Sequence, residues 1–173
     1  MKKIIFFSVV LFLFTFRAYG TEVKIGYMDL NKALNESDDG KKATKFLEEL
    51  VNSKQTILQE KEKEIKKLNE ELEKQSAVLT PESKKIKEEQ LNKLYRDYQR
   101  TAKDFQEEIQ KKEEELRMEI LKELREIVNK IGKEEGYSII FETGASGILY
   151  YQKEFDLTEK IIKKYNEAAK MKK

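Results

Sequence analysis

The chain has 173 residues, 39% of them charged, with 35 Lys and Arg against 33 Asp and Glu, and it holds neither cysteine nor histidine. This composition removes disulfides, thiol nucleophiles, imidazole bases and the usual zinc ligands. Its near balance of charge also lacks the basic excess that nucleic-acid binding needs.

Met1-Lys2-Lys3 is basic, Ile4 to Phe16 is apolar except for Ser8 and Thr15, and Ala18-Tyr19-Gly20 supplies small residues. This is the pattern of a secretory signal peptide over residues 1–20. The apolar run of 13 residues falls short of the roughly 20 that a bilayer span requires. Export to the periplasm is expected, with a mature chain beginning near Thr21. Loss of Lys2, Lys3 and Arg17, with no acid among them, takes the formal charge from +2 to −1.

Val23, Ile25 and Tyr27 alternate with Glu22, Lys24 and Gly26, which predicts a strand whose buried face carries the three apolar residues. Asp29 precedes Leu30, Ala33 and Leu34 as the cap of a short helix, and Ser37 to Gly40 reads as a turn or break.

Residues 40–135 form the long middle of the chain. Val51, Leu58, Ile65, Leu72 and Leu79 recur a heptad apart, with Leu47 and Leu68 on a second seam that Lys54, Lys61 and Gln75 interrupt. Leu91, Tyr95, Tyr98, Ala102, Phe105 and Ile109 continue the apolar stripe after the only proline, Pro81. Thr80 and Pro81 fit the start of a new helix, so residues 79–83 are the expected tip of a helical hairpin. Its arms would be on the order of 60 and 80 Å long, too long to lie inside a compact domain of this size. The four-plus-four spacing of Leu116, Ile120 and Leu124 is a stutter, where a change of packing partner is expected. Tyr95, Tyr98 and Phe105 lie near basic residues, but their spacing suits a packed stripe better than base stacking.

Gly136 suits the end of the second arm. Tyr137 to Glu142 and Ile148 to Gln152 predict two strands joined as a hairpin by Thr143 to Gly147. Asp156-Leu157-Thr158-Glu159 matches a capping box for a last helix with Leu157, Ile161, Ile162, Tyr165 and Ala169 on its apolar face. The basic tail Lys170 to Lys173 follows.

The fold class expected is α+β: a long antiparallel coiled-coil hairpin projecting from a small β body made of residues 21–39 and 136–173. Roughly 60 residues with open strand edges make a poor independent core, so the strands are expected to pair between copies. Val23, Ile25, Tyr27, Ile139, Phe141, Ile148 and Tyr150 are the candidate oligomerisation residues. Paired carboxylates could in principle do glycosidic chemistry, but on Glu-rich helices such pairs arise by chance and none sits in a recognisable pocket-forming segment. No phosphate loop, dinucleotide fingerprint, calcium loop or zinc pattern is present. No enzyme activity, cofactor, metal or nucleic-acid partner is expected.

The segments Lys24-Ile25-Gly26-Tyr27-Met28-Asp29-Leu30-Asn31-Lys32-Ala33-Leu34, Gly40-Lys41-Lys42-Ala43, Gly136-Tyr137-Ser138-Ile139-Ile140-Phe141, Gly147-Ile148-Leu149-Tyr150-Tyr151 and Asp156-Leu157-Thr158-Glu159 carry a resemblance. In this order around so long a hairpin, the chain resembles the Skp (OmpH-like) family of periplasmic chaperones. The resemblance implies a homotrimer whose arms enclose a cavity holding unfolded outer-membrane β-barrel proteins without ATP. Read from the residues alone, a structural or adaptor coiled coil that docks a folded partner remains an alternative.

Lys84, Lys85, Lys87, Lys93, Arg96 and Arg100 follow the tip and form a candidate contact for anionic lipid, lipopolysaccharide or client, set against an ordinary solvated helix face. The near-neutral mature chain departs from the strongly basic balance of the family's best-known member, which sets aside a general electrostatic capture.

Overall fold

The computed structural model describes residues 23–171, and the expected signal peptide and the last two lysines of the tail lie outside them. The elements in order are β1 (Ile25–Met28), α1 (Leu30–Glu36), α2 (Asp38–Gln75), α3 (Pro81–Glu135), β2 (Ile139–Glu142), a 3-10 turn (Lys153–Phe155) and α4 (Thr158–Met171). The fold is mostly helical with a small two-stranded sheet, the α+β hairpin architecture expected of the sequence.

Local signals set the ends of the helices. Asp29 caps α1 by accepting from the Lys32 N–H at 2.8 Å. Ser37 closes α1 and caps α2, its hydroxyl accepting from the Gly40 N–H at 3.2 Å. Gly40 is therefore not in a break. It lies buried in the first turn of α2, where a Cβ would stand 1.7 Å from the Leu34 carbonyl oxygen. Only glycine lets the two backbones approach so closely.

At the other end α2 stops at Gln75, and the connection occupies residues 76–80, slightly ahead of the tip expected at 79–83. Thr80 caps α3 by accepting from the Ser83 N–H at 3.2 Å, with Pro81 in the first helical position. Gly136 ends α3 in the left-handed region at φ 70°, and its N–H reaches the Gly132 carbonyl.

With 38 and 55 residues, α2 and α3 extend about 57 and 82 Å. Their seam is thin: along residues 41–119, Ile65 is the only buried side chain among the described residues of the two helices. Two expected seam residues fall outside it, since Val51 is 40% and Tyr95 46% exposed. Half-buried Leu50 and Leu94 take those levels. A seam without continuous apolar knobs does not force the 3.5-residue repeat, so the helices drift toward 3.6 and the buried stripe moves. The stutter marks a change of partner as expected. Leu116 flanks α2 beside Ala43 and Leu47, whereas Ile120 and Leu124 enter the body core with Ala33, Leu157, Ile161 and Tyr165.

The sheet departs from the expected arrangement. β1 and β2 run parallel, with Ile25 opposite Ile139 and Tyr27 opposite Phe141, so the hairpin arms serve as the crossover between them. Residues 148–152 form no strand, and the predicted 137–152 β-hairpin is absent. After β2 the Glu142 carboxylate folds back to accept the N–H groups of Gly144, at 2.9 Å, and Ala145. Gly147 then turns the chain at φ 66°, away from the β2 edge. Ile148 and Tyr150 are thus outside any strand, with Tyr150 80% exposed. The second edge of β1 is taken by the chain end instead: Leu157 N–H donates to the Tyr27 carbonyl at 2.7 Å.

The buried face of β1 is also the reverse of the expected one. Gly26 and Met28 turn inward, Ile25 and Tyr27 are half-buried and Val23 is exposed. Gly26 permits this, because a Cβ there would sit 2.6 Å from the Leu157 Cδ1. The start of α4 is likewise rearranged, without the reciprocal pair of bonds that a capping box makes. Asp156 accepts from the Thr158 N–H at 2.9 Å, while Glu159 turns to Lys32 at 2.6 Å.

Candidate functional site

The outer face of the sheet gathers most of the candidate oligomerisation residues. Because alternate residues share a face, Ile25 and Tyr27 line up with Ile139 and Phe141 across the register, with Val23 at the start of the same row. Tyr151 extends this face by stacking on Tyr27 with ring centroids 4.8 Å apart, and Phe141 stacks on the same ring at 5.9 Å. Ile139 remains 46% exposed and Leu149 wholly so. Residues 147–152 donate no backbone hydrogen bond within the described residues, leaving an unpaired, largely apolar segment beside an apolar face.

Ties between the ends of the chain hold this face at the root of the arms. Tyr165 is buried in α4 and donates its hydroxyl to Glu123 of α3 at 2.9 Å, with Asp39 of α2 at 3.4 Å. Burial, reinforced by Glu123, pushes the phenol well above its ordinary range. Asn166 accepts from the Asp38 N–H at 2.9 Å, supplying a partner for a free amide of the α2 N-terminus. Lys160 pairs with Glu135 at 2.6 Å, and this hydrogen bond holds the Glu135 carboxyl below its usual value and raises Lys160. None of these contacts between distant elements was legible in the sequence, since Tyr165 reads there only as part of an apolar helix face.

The arms carry charge inside the seam. Lys54 lies between the helices, 2.7 Å from Glu108 and 4.4 Å from the Phe105 ring centroid. Nearer the tip, Lys87 spans the seam to Glu71 at 3.7 Å and Gln75 at 2.9 Å. Lys87, one of the six candidate contact residues, is thus engaged across the seam. Lys84 pairs with Glu88 at 3.9 Å and Arg100 with Asp97 at 3.2 Å along the same helix. Lys85, Lys93 and Arg96 are exposed and enter no salt bridge among the described residues. By helical spacing these three and Arg100 lie on the side of α3 away from the Leu91, Leu94 and Tyr98 seam.

A cleft of about 770 Å³ lies between the sheet and α3 and is lined by Met28, Leu30, Arg117, Arg125, Val128 and Ile140, together with Glu142. Glu142 is occupied by backbone amides, and no second carboxylate is among the described residues lining this cleft. No metal-binding cluster occurs among the described residues.

Residues 24–165 match the family described as outer membrane protein (OmpH-like). The chain belongs to the OmpH-like family. A chaperone protein Skp of Blochmanniella pennsylvanica (strain BPEN) is 25% identical over 157 residues, covering 90% of this chain and 93% of that protein. A crystal structure from Caulobacter crescentus CB15, described as an outer membrane chaperone (OmpH-like), superposes with a TM-score of 0.79 at 13% identity. It covers 85% of this chain and 86% of its own, and it supports the fold of this OmpH-like protein.

Proposed function

We propose that this protein is an ATP-independent periplasmic holdase, binding unfolded outer-membrane β-barrel proteins between helical arms and keeping them soluble for insertion. The observation that carries the reading is the hairpin itself: helices of 38 and 55 residues, thinly sealed, rising from a body whose apolar sheet face is uncovered. In this reading other copies of the chain cover that face. Strand pairing of residues 148–152 against the open edge of β2 in a neighbouring copy would bury Leu149 and Tyr150 and satisfy the unpaired backbone. Three copies, each contributing one arm, would enclose a space into which many weak contacts could hold a mobile chain. The membership in the OmpH-like family and the Skp relative support this reading.

Basic residues Lys85, Lys93, Arg96 and Arg100 would add a contact for anionic headgroups, lipopolysaccharide or client on the outer face of α3. The activity is binding rather than catalysis, and it needs no cofactor. Light scattering tests it: a urea-unfolded outer-membrane β-barrel protein diluted into the mature chain stays in solution, whereas aggregation at the rate seen without the chain contradicts the reading. Selective binding of a folded envelope partner in place of the unfolded one would identify a docking arm.

A further inference from the structure

A lysine in a helix–helix seam has to be satisfied by the opposite helix or escape to water. Lys54 occupies such a position, with its side chain 18% exposed. Its amine meets both demands from α3, with Glu108 at 2.7 Å and the Phe105 ring at 4.4 Å. Half-buried Lys61 and Lys112 dilute the apolar stripe to either side. Farther out, Ile65 is 6% exposed and closes the seam at its own level by burial, ahead of the Lys87–Glu71 contact nearer the tip.

These two attachments differ in how they open. Glu108 is 52% exposed, so water and counterions reach the ion pair. When the helices part, the long lysine stem carries its amine to solvent with little loss. Ile65 has no such escape, because parting there exposes apolar surface. We infer that Lys54, Phe105 and Glu108 form an ionic clasp, and that the hairpin opens reversibly at this level while it remains closed around Ile65. The arm therefore bends at this level, on the body side of Ile65, and dissolved salt sets how often. The inference rests on the seam alone and holds whatever the arms bind.

Hydrogen exchange of the mature full-length chain at low and high sodium chloride tests it. High salt speeds exchange about threefold in residues 50–58 and 102–110 and leaves residues 62–70 and 94–99 unchanged. Lys54→Met keeps the stem on Phe105 without the charge and abolishes the salt response. Glu108→Gln, which leaves Phe105 untouched, weakens it. A salt response spread evenly along the arm, or one that persists in Lys54→Met, would overturn the clasp. Because exchange is read without any client, failure here leaves the holdase reading standing.

Discussion

Tyr165 donates its phenolic hydrogen to Glu123 across 2.9 Å, joining the last helix to the second arm where that arm enters the body. Asp39, at 3.4 Å from the same hydroxyl, brings the start of the first arm to the same point. The bond is part-buried and its acceptor is a carboxylate, which places it among the stronger side-chain hydrogen bonds. Tyr165→Phe keeps the ring and removes the donor. It lowers the stability of the body by about 1.5–3 kcal/mol, read as a shift in the denaturant midpoint. An unchanged midpoint would mean that the hydroxyl contributes nothing to holding the arms.

Gly40→Ala tests the junction of α1 and α2. The new methyl would meet the Leu34 carbonyl, a backbone atom that cannot swing aside. A loss of roughly 3 kcal/mol is expected, seen as a lower melting temperature. Wild-type stability in this variant would show that the two helices can separate freely.

The Glu135–Lys160 pair predicts a pH dependence. Glu135 is held below its ordinary value, so its contribution is present above that value and lost as pH falls through the lowered one. Lys160 is raised, so its contribution is present below its ordinary value and lost as pH rises through the raised one. Both act across the neutral range. Glu135→Gln is therefore less stable than wild type at neutral pH, and the difference shrinks in acid. A gap of constant size from neutral to acid pH, measured by urea unfolding, would contradict the pairing.

Stiffening the seam should narrow what the arms can hold. Lys54→Leu with Lys61→Leu fills two half-buried seam positions with apolar side chains. Capture of large unfolded clients falls while that of small ones persists, measured by the ratio at which aggregation is suppressed. Equal capture of both sizes would remove arm flexibility from the mechanism.

The arms were legible because helix periodicity, Thr80-Pro81 and Gly136 are local signals that tertiary packing did not override. The Asp29 cap and the stutter at Ile120 were legible for the same reason. What the sequence did not disclose depends on long-range partners. The inward face of β1 follows from Gly26, whose missing side chain makes room for Leu157, so the apolar alternation of Val23, Ile25 and Tyr27 points to the opposite surface. Ile148 to Gln152 has strand-like composition, but Glu142 and Gly147 turn it off the sheet edge within one chain. In the candidate patch, the six basic residues are equivalent by sequence, and only the fold sets Lys87 across the seam from Glu71.

The remaining patch gives its own test. Lys85→Glu, Lys93→Glu and Arg96→Glu together should abolish binding to vesicles rich in anionic lipid, and wild-type binding should weaken as salt rises. Binding that ignores both changes would return these side chains to the role of a solvated helix face.

In the proposed assembly, copies of this chain join through their sheet faces and shelter an unfolded protein between their arms. Native mass spectrometry of the mature chain mixed with an unfolded outer-membrane β-barrel protein tests it most directly. The predicted result is a complex of three subunits with one client. A lone subunit that stays single and carries no client would contradict it.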